Sequence, residues 1–377
     1  MKKILFISSS RADYSLLKKV IIETQKLNRK TFVLITGSHL SQEFGKTISE
    51  IKKDKIKNII QKKILGKKFN DSDITNYLMR SIKTTRDVIK KLKPNVIIIL
   101  GDRYEMLGSA IAAMIFRVPI AHIHGGEITQ GALDDSVRHA ITKFSNLHFP
   151  IHEQYRKRLI QLGENPKSIF NFGGLGAHAI SKTQILKRKD LEKILKIKLN
   201  KKIILVTFHP VTLEKNQSNY QIKNLIKFLN TLNDSIIIIT SPNFDNESDI
   251  IKKKLVNFIK KKENFYYFNS LGSQNYISLM KFAYLVIGNS SSGVLETPSF
   301  GTKTINIGNR QKGRIISENI INCNYDFNSI QKAFFKIIKK SKKVSNPFFK
   351  KNTPIKIAKK ILNYKYDLKK NFYDAQK

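Results

Sequence analysis

Cysteine is almost absent from this chain: Cys323 is the single one in 377 residues. No internal disulfide can form, which fits a reducing cytoplasm, the expected location. The surroundings of Cys323, "NCNYD", hold nothing that would activate a nucleophilic thiol, so it reads as passive. Long apolar runs are missing as well. No stretch reaches the roughly 18 apolar residues needed to span a bilayer. The run at residues 4–7 is too short for the core of a signal peptide, and Arg11 soon follows. It reads as a first β-strand, and no membrane partner is expected. Acidic residues are scarce: 28 Asp and Glu face 69 Lys and Arg, a net charge of +41. That charge resembles a nucleic-acid footprint. Its distribution argues otherwise, because lysines are spread over almost every predicted helix and cluster only near the C-terminus. There is no zinc-finger or RNP motif and no solenoid repeat. The charge is read as a lysine-rich solvated surface with weak attraction to anionic surfaces or acidic sugars, and nucleic acid is not an expected partner.

What the chain does have is alternation. Strand-like runs occur at 3–7, 31–36, 96–100, 120–123, 147–149 and 169–172, and a second series at 203–208, 236–240, 265–268, 285–287 and 304–307. Helical patterns lie between them, among them 72–92, 106–117, 135–144, 153–162, 220–232, 247–261, 273–282 and 293–300. "VIIIL" and "SIIIIT" are continuous apolar runs, as expected of parallel strands covered on both faces. Repeated β-α-β order predicts an α/β protein with doubly wound parallel sheets. A charged, strandless stretch at 181–202 separates the two series. The expectation is therefore two Rossmann-like domains facing a cleft, 1–180 and 181–350, with a C-terminal helical tail at 351–377. Helices at 329–342 and 354–363 are candidates to cross back to the first domain. Ligands of such sheets bind beyond the carboxyl ends of the strands.

The predicted strand ends are rich in polar residues. "SSSRADYS", "GSHL" with His39, "GDRYE" and "HIHGGE" end strands of the first series. "HP" with His209, "SPNFD", "GNSSSG" and "GNRQKGR" end strands of the second. Ser290 and Ser291 are either helix caps or, with Gly293, the amide donors of a phosphate cradle. Glu296, inside the following helix, is either an acid placed near a helix start or a ligand of sugar hydroxyls. Arg11, Arg103, Arg310 and Arg314 stand out where lysine dominates. They form surface salt bridges or grip phosphate with two bonds each. Asp102, at the end of a buried strand, is a loop cap or a carboxylate with a perturbed pKa. His122 and His124 share a side if their strand is regular. One of Asp134 and Asp135 is expected to cap the next helix, leaving the other for chemistry. A His-x-His zinc site is the rival reading of "HIHGGE": no third histidine is close in sequence, but His39 and His209 lie on other loops and could converge on it.

Together "SSSRADYS", "GSHLSQEFG", "GDRYE", "HIHGGE", "DDSVRHAITKFSNLHF", "RLIQLGE", "FHPVTLE", "GNSSSGVLETPS" and "NIGNRQKGR" resemble the hydrolysing UDP-N-acetylglucosamine 2-epimerases, above all the bacterial branch that supplies sialic-acid-type sugars. The resemblance runs in order to about residue 320. It implies a glycosyltransferase-B-like fold with UDP bound by the second domain, and a homodimer or homotetramer. It implies conversion of UDP-N-acetylglucosamine and water to N-acetylmannosamine and UDP, through a 2-acetamidoglucal, without a metal or NAD cofactor. By the same resemblance Asp102 and Asp134 match acid/base carboxylates. Arg11, Ser15, Arg103, Ser290, Ser291, Glu296 and Arg310 match UDP-contacting positions, and His209 matches a histidine near the diphosphate or sugar. His39 and Gly293 join the binding candidates. One departure matters: some relatives carry a catalytic Glu where this chain has His124, so either His124 or Glu127 takes the proton-transfer role. The rivals are the same reaction on a UDP- or GDP-linked 2,4-diacetamido-2,4,6-trideoxy sugar, a non-hydrolysing epimerase, a true glycosyltransferase, and a basic nucleic-acid-binding module.

Overall fold

The computed structural model describes every residue except 42–46, 66–70, 131–132, 212, 215, 243–246, 261, 341–343 and 376–377, and omits the side chains of residues 50 and 71. The expected helix ends at 261 and 342, and parts of the "GSHLSQEFG", "SPNFD", "FHPVTLE" and "ITQGALDD" segments, lie outside the described residues. The chain forms two compact units. Unit 1 comprises Met1–Glu127, Asp134–His178 and Lys350–Lys377, and unit 2 comprises Ile128–Leu133 and Ala179–Phe349.

Unit 1 holds β1 (Ile4–Ser8), β2 (Thr31–Ile35), β3 (Ile59–Gln61), β4 (Val96–Leu100), β5 (Ile120–Ile123) and β6 (Leu147–Phe149). They form one sheet in the order β3-β2-β1-β4-β5-β6, every described pair parallel. Unit 2 repeats that order with β7 (Lys202–Thr207), β8 (Ser235–Thr240), β9 (Phe265–Phe268), β10 (Leu285–Gly288), β11 (Thr304–Ile307) and β12 (Ile320–Cys323), arranged β12-β11-β10-β7-β8-β9. Both are doubly wound α/β sheets. β1, β4 and β8 are buried at every position, because helices cover both faces and leave no polar side for alternation to mark.

Two strands escape the sequence pattern. β3 and β12 are short edge strands, partly exposed along their length, so neither carries a continuous apolar run. The expected strand at 169–172 reduces to one bridge, His148 to Ile169. Phe170 and Phe172 instead turn their rings into the core of unit 1. The expected helix at 293–300 breaks into a single turn, Ser292–Leu295, and a 3-10 turn, Thr297–Ser299. Pro298 has no amide with which to continue a ladder. Among the described residues no helix is long and apolar enough to cross a membrane.

The C-terminal segment is tied to unit 1. The helix Thr353–Asn363 buries Ile357, Ala358 and Ile361, and Ile357 and Ile361 join the same core as β1. Further on, Lys370 Nζ donates to the carbonyls of Lys143 (2.8 Å) and Ser145 (2.7 Å). It also lies 2.7 Å from Glu164 Oε2. Glu164 is 1% exposed and also meets Lys143 (2.9 Å) and His148 (2.9 Å). Burial pushes His148 below the ordinary imidazole value, against the opposing pull of Glu164. Burial alone would raise Glu164, but the His148 hydrogen bond and the Lys370 charge outweigh it and bring it to about 2.

A carboxylate depressed in this way stabilises the fold above its unfolded value and loses that contribution as pH falls through the folded one. Glu164→Gln should cost on the order of 3 kcal/mol at neutral pH. The gap between the two proteins should close as pH drops from about 4.3 toward about 2. Urea denaturation across that window checks it, and a constant gap would contradict it. At the end of β10, Gly288 has φ +143, and an added Cβ would lie 1.9 Å from Thr207 O. Gly288→Ala is expected to destabilise unit 2 by more than the roughly 1–3 kcal/mol of backbone strain alone, read as a lower thermal midpoint.

Candidate active site

In each sheet the strand order reverses once, between β1 and β4 in unit 1 and between β7 and β10 in unit 2. Ligands of doubly wound sheets bind at the carboxyl ends of such strand pairs. The residues that follow those four strands are "SSR", "GDR", "FHP" and "NSSS".

After β1 the chain enters the helix Arg11–Leu27 at once, through a capping box in which Ser10 and Asp13 bond reciprocally. Arg11 is thus the first helical residue rather than part of a loop. Arg11 and Ser15 are exposed one turn apart, where side chains share a face. Ser15 Oγ donates to Ala12 O at 2.8 Å. His39 lies elsewhere. It is fully buried, with Nε2 2.9 Å from Ser8 Oγ and Nδ1 2.7 Å from Thr47 Oγ1. Both ring nitrogens are engaged inside unit 1. Burial would raise Asp13, but His39, Ser8 and Ser9 together hold it below the ordinary carboxylate value.

The end of β4 carries the denser cluster. Gly101 has φ +80, a left-handed turn that sets Asp102 just past the strand. Buried His122 donates from Nε2 to Gly101 O at 2.8 Å. Its Nδ1 faces Thr142 Oγ1 at 3.2 Å. Burial lowers its pKa to about 3, so it is a neutral prop for that turn. Arg103 is half-exposed, and its Nε donates to Glu105 Oε1 at 2.7 Å. Glu105 raises the Arg103 pKa further, against the opposing effect of burial, and Asp134 adds to the rise. Ser9 Oγ reaches the same Glu105 oxygen at 2.5 Å. A chain of contacts therefore joins the ends of β1 and β4 across the reversal of strand order.

Asp102 is held by Arg138. This arginine is 1% exposed and lies in the helix Asp134–Phe144. Its Nη2 forms a close ion pair with Asp102 Oδ2. Its Nη1 donates to Glu127 O (3.0 Å) and lies 3.3 Å from Asp135 Oδ1. One guanidinium thus fixes three segments. Asp134 and Asp135 both fall inside the first turn, so neither stands outside the helix as its cap. β5 stops at Ile123, and His124 has φ +70. The strand alternation that would align His122 with His124 ends there. His124 Nδ1 lies 2.6 Å from Glu127 Oε1. No group of three or more His, Cys, Asp or Glu among the described residues is arranged to hold a metal ion.

In unit 2, His209 is buried and its main chain is clamped by Asn289. His209 N donates to Asn289 Oδ1, and Asn289 Nδ2 donates to His209 O, both at 2.7 Å. Burial, and then the Arg310 charge, pushes the imidazole well below its ordinary value, so it is neutral. Arg310 Nη1 donates to Asn289 O at 3.3 Å and Gln311 Nε2 at 3.0 Å. The structure thus brings His209, Ser290, Ser291 and Arg310 around one asparagine. The amide of Gly293 donates to Ser290 O at 3.1 Å within its own turn. Glu296 accepts from Ser292 Oγ at 2.8 Å, and burial raises its pKa.

The sequence-based reading missed Arg138, Glu105 and Asn289. Arg138 had a signal: it occupies the buried stripe of its helix beside Val137, Ile141 and Thr142, where a cation needs a carboxylate partner. Arg138→Met strips Asp102 of that partner and should destabilise unit 1 by about 3 kcal/mol. Arg138→Lys, which keeps the charge without the fork, should cost less. Urea midpoints of the two variants check both the size and the order.

The family profile described as UDP-N-acetylglucosamine 2-epimerase matches residues 23–362. The chain is 42% identical over 385 residues to a GDP/UDP-N,N'-diacetylbacillosamine 2-epimerase (hydrolyzing) of Campylobacter jejuni, covering 99% of each. It is 37% identical over 395 residues to polysialic acid biosynthesis protein P7 of Escherichia coli, covering 99% of this chain and 98% of that one. Its fold matches a crystal structure of UDP-GlcNAc 2-epimerase from Neisseria meningitidis bound to UDP-GlcNAc, with TM-score 0.80 at 17% identity, over 96% of this chain and 100% of that one. With a family profile spanning most of its length and a 42% identical relative matched end to end, the chain belongs to the UDP-N-acetylglucosamine 2-epimerase family, among its hydrolysing UDP-sugar 2-epimerases.

Proposed function

We propose that the protein removes UDP from a UDP-linked 2-acetamido sugar and inverts C2, releasing the free mannose-configured sugar for sialic-acid-type biosynthesis. The observation that carries this reading is the Arg138 assembly, which holds Asp102 and the Glu127 turn at neighbouring strand ends with Asp134 in the adjoining helix turn. The C2 proton becomes removable only as the C1–O bond to the diphosphate breaks and positive charge grows on the ring. The reaction therefore needs proton carriers for both faces of the ring and cationic support for the leaving group. Unit 1 supplies the carriers from Asp102, Asp134 and the His124–Glu127 turn. Arg11, Ser15 and Arg103 are assigned to the substrate in the same unit. Unit 2 supplies Arg310 and the amides of Ser290 and Ser291 for the diphosphate, with Glu296 for sugar hydroxyls and neutral His209 as a hydrogen-bonding partner.

Two sugars fit this chemistry. N-acetylglucosamine follows from the motifs and from the likeness to polysialic acid biosynthesis protein P7. A 2,4-diacetamido-2,4,6-trideoxy sugar is favoured by the higher identity to the diacetylbacillosamine enzyme. Proton NMR of the purified protein in D2O with EDTA separates them. One of the two UDP-sugars is expected to give UDP and a free sugar deuterated at C2. Release of sugar without deuterium would overturn the elimination route, and turnover of neither sugar would overturn the reading.

A further inference from the structure

We propose that His124 is the base that takes the C2 proton and that Glu127 is a positioning residue that fixes its tautomer. The proposal rests on the epimerase reading above and decides between two residues that the sequence leaves equivalent.

The geometry is that of an oriented dyad. His124 Nδ1 donates to Glu127 Oε1 at 2.6 Å, which leaves the lone pair on Nε2. That nitrogen is buried and has no hydrogen-bond partner among the described residues. The Glu127 carboxylate is itself only 2% exposed and is turned onto the imidazole. The backbone at His124 has φ +70, a left-handed conformation that is uncommon outside glycine but that His, with Asn and Asp, adopts more readily than other side chains. Several contacts hold the turn there. His124 N donates to Phe149 O at 3.1 Å, Arg138 Nη1 to Glu127 O at 3.0 Å, and Arg158 Nη1 to Gly126 O at 2.5 Å. Gly126 has φ +79, and a Cβ there would lie 2.5 Å from Tyr155 O. An imidazole fixed in its turn, with one nitrogen satisfied and the other buried without a partner, carries a local cost that a ligand can repay.

In the step assigned to it, Nε2 takes the proton from C2. The C2–H electrons form the C1–C2 double bond, and the C1–O bond breaks with its pair leaving on UDP. The imidazolium is balanced by Glu127 and gives its proton to solvent. Water then supplies the hydroxyl at C1, a carboxylic acid protonates C2 from the other face, and the water proton recharges that acid.

The test uses His124→Gly, which relieves the left-handed strain and leaves a space the size of an imidazole. It should lose about 1000-fold in kcat, and added imidazole should restore turnover saturably. Glu127→Gln should lose about 100-fold in kcat with KM unchanged, and Glu127→Asp less. A His124→Gly enzyme within about 10-fold of wild type, or one that imidazole does not restore, overturns the proposal. NMR of the free enzyme with isotope-labelled histidine gives a readout independent of turnover. A proton on Nδ1 of His124 that shifts to a tautomer mixture in Glu127→Gln supports the dyad, and a proton on Nε2 in the wild type overturns it. A wild type inert toward every UDP-sugar would sink the epimerase reading while the tautomer still decides the dyad.

Discussion

Parallel strands point every carboxyl end to the same edge of their sheet, and the placement of chemistry in each unit depends on that constraint. Once β1 and β4 lie side by side, Ser9 and Arg103 are neighbours without any further instruction, and Glu105 has only to bridge them. Once β4 pairs with β5, Leu100 lies opposite Ile123, so the Asp102 turn and the His124 turn begin from matched positions. In unit 2 the pairing of β7 with β10 sets Thr207 against Gly288. That lets Asn289 reach both main-chain groups of His209. The glycine follows from the same approach, because the Thr207 carbonyl occupies the space a Cβ would need.

Burial then sorts the titratable groups. A buried histidine without a firmly placed charge loses its proton, and His122 and His209 both move in that direction. They become neutral props, one for the Gly101 carbonyl and one beside Arg310. Carboxylates survive inside only where a cation or several donors meet them. Glu164 has His148 and two lysines, Asp13 has serines and His39, and Asp102 has Arg138. The first holds the C-terminal segment to unit 1 and the last fixes the candidate site, yet both obey one electrostatic rule.

Much of the fold was legible because covered parallel strands announce themselves. "VIIIL" and "SIIIIT" can be little else, and both became fully buried strands. β3 and β12 were not legible because an edge strand needs apolar residues on one side only, and "IIQ" and "IINC" are too short to show a period. The strand ends were legible as clusters, but their inner wiring was not. His39 and Ser15 look alike as polar residues near strand ends, yet one is sealed among Ser8, Asp13 and Thr47 and the other is exposed. Which is which depends on the packing of the loop after β2 against the start of the first helix, and local sequence does not encode it. Gly293 likewise fits a cradle by composition, while hydrogen bonding within its own turn uses the amide.

The choice of cation follows from the same physics. In a chain with +41 net charge, lysine is the default base, and spread over the surface it can draw anionic substrates in from solution. Inside, the two bases behave differently. Burial lowers the pKa of Lys370 even with Glu164 beside it, so a lysine set deeper against Asp102 would sit closer to neutrality. A guanidinium keeps its charge in any protein environment and offers five donors in a plane. Arg138 uses that fork on Asp102, Asp135 and the Glu127 carbonyl at once, which a single ammonium, with no planar fork, is poorly shaped to match. An arginine at a strand end or on the buried stripe of a helix, in a chain that otherwise prefers lysine, therefore marks a position where the charge must be both permanent and aimed.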